Sequence, residues 1–170
     1  MAVRSSLFYD ILCPMKLRVY LDTSVINFAI TTQDVPREKT ATLKLIEEIK
    51  AGNFLPYVSE VTIREIMRAS EEKRNELFKV IEQIQPEELS LTEETETLAD
   101  RYIETKTIPA SERNDALHIA IATIHNMDVI VSWNFAHMVK LKTRRQIPAI
   151  NTLMQYKSIE ICSPLEIIES

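Results

Sequence analysis

The sequence predicts an α/β fold in which a parallel sheet is covered by helices on both faces. Short runs rich in β-branched and aromatic residues, Leu17 to Leu21, Phe54 to Val58 and Val129 to Val131, alternate with longer segments whose apolar residues recur at helical spacing. Each of these runs is followed by a polar residue, Asp22, Ser59 or Ser132. No linker, repeat or low-complexity tract interrupts the 170 residues, a length that suits one domain with a sizeable core. Strands alternating with helices are the pattern of a parallel sheet with two covered faces.

Residues 1–14, MAVRSSLFYDILCP, stand apart from this pattern. Arg4 precedes an apolar patch, but Asp10 interrupts it and no small-residue cleavage site follows. They read as an N-terminal extension or an over-long start, and the domain is expected over 15–170. Leu17 to Leu21 is the first strand, and Val25 to Ile30 forms a short helix or turn. Pro36 opens a helix carrying Leu43, Ile46 and Ile49, and Gly52 stops it. The strand Phe54 to Val58 is followed by a helix with Val61, Ile63, Ile66 and Met67. Another helix, through Leu77, Val80, Ile81 and Ile84, stops before Pro86. Leu89 to Leu91 suggests a minor strand.

Thr92 is placed to cap the next helix, with Glu94 to Glu96 favourable in its first turn. Pro109 breaks that helix, and Ser111 is the expected cap of a segment holding Leu117, Ile121 and Ile124. After Val129 to Val131, a helix is expected to end before Pro148. A helical stretch near Thr152 to Tyr156 and a strand at Ile159 to Ile161 then finish the chain.

Composition narrows the functions. A hydrophobic fraction of 45% and a charged fraction of 26% are ordinary for a globular protein, and no apolar run approaches the length that spans a bilayer. The formal charge of −5 argues against nucleic-acid binding through overall charge. Cys13 and Cys162 form no zinc motif and read as reduced thiols of a cytoplasmic protein. The single glycine, Gly52, excludes Gly-rich phosphate loops, dinucleotide fingerprints and the Gly-x-Ser-x-Gly elbow.

Certain polar residues fall at corresponding places. Asp22 directly follows the first strand, Glu65 lies about two turns past the second, Asp115 is in the first turn of a helix, and Asn134 comes shortly after the strand Val129 to Val131. Ligands of parallel sheets bind outside the carboxyl ends of the strands, so these segments can deliver oxygens to one place. An oxygen set suits magnesium or manganese, and a cation would relieve the repulsion of clustered carboxylates. It could also orient water against a phosphodiester. Other readings stay open on the pattern alone: Asp22 as a turn or cap residue, Asp115 as a helix N-terminal charge, and Glu71, Glu72, Glu93, Glu94 and Glu96 as solvated surface.

In order along the chain, VYLDTSVINF, VSEVTIREI, RNDALHIAIA, VIVSWNFAHMV and ICSPLEII resemble the PIN-domain endoribonucleases, in particular the VapC-type toxins of prokaryotic toxin–antitoxin systems. The resemblance extends with gaps over nearly all of the chain from Met15 onward. It implies an α/β/α sandwich with a central parallel sheet, Mg2+ or Mn2+ at acidic residues, and cleavage of RNA. It also implies a homodimer and a small antitoxin partner. By position, Asp22, Glu65 and Asp115 match the acidic metal-binding residues. Asn134 matches a catalytic position that is often aspartate, and its amide brings no charge. Ser132 matches the hydroxyl residue that supports the site, with Thr23 in a similar role beside Asp22. The alternative is a catalytically weakened PIN fold that binds RNA or a protein. A sheet protein for a small phosphorylated ligand is disfavoured by the missing phosphate loop.

Further residues carry weaker signals. His118 lies one turn after Asp115 and is expected to pack or hydrogen-bond near the site. His137 is read as structural and His125 as a helix-end residue. Trp133 is expected to anchor its loop rather than stack on a base. Lys140, Lys142, Arg144 and Arg145 read chiefly as a solvated helix face. Arg64 and Arg68, flanking Glu65, are candidates for contact with RNA, with the carboxylates or with an antitoxin.

Overall fold

A computed structural model describes residues 16–169. Five strands form one parallel sheet: β1 (Leu17–Leu21), β2 (Phe54–Ser59), β3 (Glu87–Leu89), β4 (Val129–Val131) and β5 (Glu160–Cys162), in the order β3-β2-β1-β4-β5. The helices are α1 (Thr23–Ala29), α2 (Pro36–Lys50), α3 (Glu60–Met67), α4 (Glu71–Ile84), α5 (Glu93–Glu104), α6 (Arg113–Ile124), α7 (Leu141–Leu153) and α8 (Pro164–Ile168). The residues expected as an N-terminal extension, and Cys13 with them, lie outside the described residues. No described helix is long and apolar enough to cross a membrane.

The period of two along each strand sorts side chains between two cores. Val19, Leu21, Val58, Val129 and Val131 face α1, α2, α4 and α8. Tyr20, Tyr57, Leu89, Ile130 and Ile161 face α5, α6 and α7. Burial on both faces explains why these strands read as near-continuous apolar runs. The result is the expected α/β/α sandwich.

Local chemistry sets the element ends. Gly52, at φ 79°, follows α2; its N–H donates to Ile49 O at 2.9 Å, and that of Asn53 donates to Glu48 O at 3.0 Å. This paired closure is the Schellman arrangement, which favours a residue without Cβ. Ser59 and Thr92 each cap a helix through a reciprocal pair of bonds, with Thr62 and Thr95 respectively.

The structure departs from the expected elements at several points. β3 is Glu87–Leu89 rather than Leu89 to Leu91, because the backbone N–H of Leu91 donates instead to Glu60 Oε1 at 3.2 Å. Ser111 does not cap α6; it lies in a 3-10 turn, Ala110–Glu112, and its hydroxyl donates to Glu112 Oε1. Pro148 does not end a helix, since α7 runs through it. Ile147 and Asn151 are both fully buried, and Asn151 accepts from Tyr102 Oη at 2.6 Å and donates to Thr123 Oγ1 at 3.1 Å. That anchoring on both sides of the proline offsets a cost of about 3 kcal/mol for an interior proline. β5 begins one residue later than expected. α8 was not expected, although Ser163 and Glu166 form its capping box in the S-x-x-E spacing.

Candidate metal centre

The strand order reverses at β1. From β1 the chain moves outward through β2 to β3, then returns to place β4 and β5 on the other side. A crevice opens where neighbouring connections leave in opposite directions, at the carboxyl ends of β1 and β4. Asp22 leaves β1 there, and Ser132, Trp133 and Asn134 leave β4. A cavity of about 550 Å³ at this point is lined by Asp22, Thr23, Glu65, Asp115, Trp133 and Asn134, among others.

Asp22 is held rigidly. It is 5% exposed, and its Oδ2 accepts from Ser24 Oγ at 2.6 Å and Ser132 Oγ at 2.7 Å. Its Oδ1 accepts no hydrogen bond and lies 3.6 Å from His118 Nε2. Ser132, itself fully buried, also accepts from the Asn134 backbone N–H at 2.9 Å. One hydroxyl thus ties the end of β1 to the loop after β4.

Glu65 reaches in from α3. Its Oε2 accepts from Thr23 Oγ1 and lies 3.2 Å from His118 Nε2, and its Oε1 accepts from Asn114 Nδ2 at 2.7 Å. Burial alone would raise its pKa, but His118, Thr23 and Asn114 outweigh burial and hold the carboxyl at about 2. Asp115, on α6, is the opposite case. Burial and the charge of Asp22 push it up to about 6, although Asn134 Nδ2 donates to its Oδ2 at 2.8 Å. Its Oδ1 makes no hydrogen bond to the protein.

Two carboxylate oxygens, Asp22 Oδ1 and Asp115 Oδ1, are therefore presented without protein donors. Two mutually repelling carboxylates fit a cation. Asp22, Glu65 and His118 each offer a ligand atom within 4.8 Å of the others, as do Glu112, Asp115 and His137.

His118 is buried beneath the carboxylates, with its Nδ1 2.6 Å from Tyr20 Oη, which is 2.6 Å from Ser59 Oγ. Burial opposes its charge, but Tyr20, Glu65 and Asp22 prevail and raise its pKa well above the usual histidine range. Its hydrogen-bonding role agrees with the sequence expectation. Asn134 is turned in a definite way: its Oδ1 accepts from the His137 backbone N–H at 3.0 Å, which leaves the amide nitrogen for Asp115. Trp133 donates to Thr42 Oγ1 at 2.8 Å and packs against Phe28, so it anchors the loop as expected.

The sequence reading did not single out Tyr20, Ser24 or Asn114. Asn114 adjoins Asp115, but successive helical residues point about 100° apart, so it serves Glu65 while Asp115 faces Asn134. The basic run after residue 139 lies outside the cavity lining; within it, Arg144 is held by Glu160 and Glu166, and Lys142 donates to Lys106 O. His125 closes α6 and approaches Ser90 O at 3.1 Å.

Fold and site together define an α/β protein with an acidic crevice at the switch point of a parallel sheet. The family model described as PIN domain matches residues 19–134, and the chain belongs to the PIN domain family. A solved structure, the crystal structure of VapBC2 from Rickettsia felis bound to a DNA fragment from their promoter, is similar at a TM-score of 0.54 and 14% identity. The match covers 86% of this chain and 98% of that one, a likeness of fold. No curated protein sequence matches the chain.

Proposed function

We propose that the protein is a metal-dependent endoribonuclease that cleaves RNA phosphodiester bonds, and that it is the toxin of a toxin–antitoxin pair. The observation that supports the first part is the meeting of Asp22, Glu65 and Asp115 in one cavity at the sheet's switch point, in a PIN domain. Asp22 Oδ1 and Asp115 Oδ1, which accept no hydrogen bond from the protein, are the oxygens to hold Mg2+ or Mn2+, as an oxygen set suits these ions. A divalent ion held there would supply Lewis acidity toward the phosphodiester. Glu65, ionised across the physiological range, orients the attacking water. Ser132, Ser24 and Thr23 hold the carboxylates in place. Asn134 orients Asp115 through its amide nitrogen.

The toxin assignment draws on the likeness to a VapBC structure and on the sequence motifs. It carries with it a small antitoxin partner, a homodimer and a cytoplasmic setting. One observation favours a second reading, a weakened PIN fold that binds without cleaving: the Asn134 oxygen is already engaged by His137 N–H, and the side chain brings no charge.

The test is cleavage of an RNA panel with Mg2+ or Mn2+, beside EDTA and Asp22→Asn controls. Metal-dependent cleavage should disappear with EDTA and fall by more than about a hundredfold in the variant, beyond the usual loss from a supporting residue. Tight binding without cleavage would favour the second reading. Cleavage indifferent to both controls would falsify the metal-nuclease proposal.

A further inference from the structure

We propose that Arg68 and Lys73 grip a phosphate of the RNA strand adjacent to the one placed at Asp22 and Asp115. The cavity then holds the strand between an anionic, metal-binding wall and a cationic wall. This rests on the ribonuclease reading and names the residues that bind its substrate.

Both side chains line the same cavity as Asp22, Glu65 and Asp115, and both residues are exposed. Arg68 closes α3 three residues after Glu65, a spacing that puts the two on one helix face. An arginine so placed would ordinarily fold back onto the glutamate. Here Thr23, His118 and Asn114 already occupy Glu65. Lys73 follows within the first turn of α4, where a cation is unfavourable to the helix dipole. The acidic group three residues on, Glu76, is taken by Lys79. Among the described residues, neither the Arg68 nor the Lys73 side chain makes an ion pair or hydrogen bond.

Other basic residues of interest are committed elsewhere. Arg64, one turn from Arg68, is paired with Glu60, and Arg144 with Glu160 and Glu166. A chain of net charge −5 that binds a polyanion needs local cations beside its carboxylates. An unpaired guanidinium fork and an ammonium facing the same cavity are suited to phosphate oxygens.

The experiment is fluorescence anisotropy with a labelled single-stranded RNA, with EDTA present to keep the strand intact, between about 50 and 200 mM salt. Each phosphate contact on a single strand contributes about −0.7 to the slope of log K against log salt. The Arg68→Gln/Lys73→Gln double variant should therefore have a slope shallower by about 1.4, and the wild type should lose about sevenfold more affinity over that range. Arg68→Lys should keep the wild-type slope, and Arg64→Gln should leave it unchanged. In cleavage assays the double variant should raise KM and spare kcat. Circular dichroism verifies that these exposed substitutions leave the fold intact. If the wild type cleaves RNA but the double variant has the wild-type slope and KM, the grip is wrong and the ribonuclease reading stands. If the wild type neither binds nor cleaves RNA, both are wrong.

Discussion

Replacing Ser132 by alanine removes one oxygen, yet it should disturb both the fold and the metal centre. The hydroxyl is fully buried, donates to Asp22 Oδ2 at 2.7 Å and accepts from Asn134 N–H at 2.9 Å. A hydrogen bond to a charged group contributes about 1.5–3 kcal/mol and a neutral one about 1 kcal/mol. Their joint loss, at a site buried from solvent, should cost about 3 kcal/mol. For a domain of this size that lowers Tm by about 6–12 °C. Asp22 keeps Ser24 as a donor, so it stays in the crevice but is less firmly aimed. Metal affinity should then fall by about 10–100-fold, the usual effect of losing a group that supports a ligand. Calorimetric melting and Mn2+ titration measure the two effects. A variant that melts within about 2 °C of wild type and binds Mn2+ equally well would refute the view that this hydroxyl couples β1 to the loop after β4.

Further outcomes follow from the same geometry. Thr42→Val leaves the buried Trp133 Nε1 without an acceptor and should destabilise by about 2 kcal/mol; urea unfolding followed through the fluorescence of this single tryptophan measures it, and an unchanged midpoint would contradict it. Asp115, pushed up to about 6 by burial and Asp22, holds its proton more tightly folded than unfolded. It therefore favours the metal-free fold at low pH and loses that effect as pH rises through 6. Because ligation needs the carboxylate, Mn2+ affinity should be about tenfold weaker at pH 5 than at pH 7.5, and equal affinities would count against Asp115 as a ligand. Burial pushes the Cys162 thiol up to about 12, so iodoacetamide at pH 8 should label it only after unfolding, as peptide mapping can determine.

Much of the fold was legible because it rests on local patterns. Strand runs, cap residues such as Ser59 and Thr92, and the stop at Gly52 are written within a few positions of where they act. Asp22 and Asn134 could be found because strand ends in a parallel sheet share one edge. What stayed hidden depends on partners distant in sequence. Tyr20 reads as an apolar strand residue, yet its hydroxyl meets Ser59 and His118, 39 and 98 residues away. Asn114 looks like a neighbour of the acid rather than a donor to Glu65, 49 residues earlier. Pro148 reads as a break, and only the burial of Ile147 and Asn151 in the core carries the helix through it. The turn of the Asn134 amide likewise follows from the His137 N–H, a backbone group that residue types do not reveal.

The proposed chemistry turns on whether Asp22 and Asp115 hold a cation between them. Crystals soaked in Mn2+ and measured at a wavelength where manganese scatters anomalously address this directly. A peak about 2.1 Å from Asp22 Oδ1 and Asp115 Oδ1 is the predicted result. A map with no peak there, or with manganese only at Glu112 and His137, would contradict it.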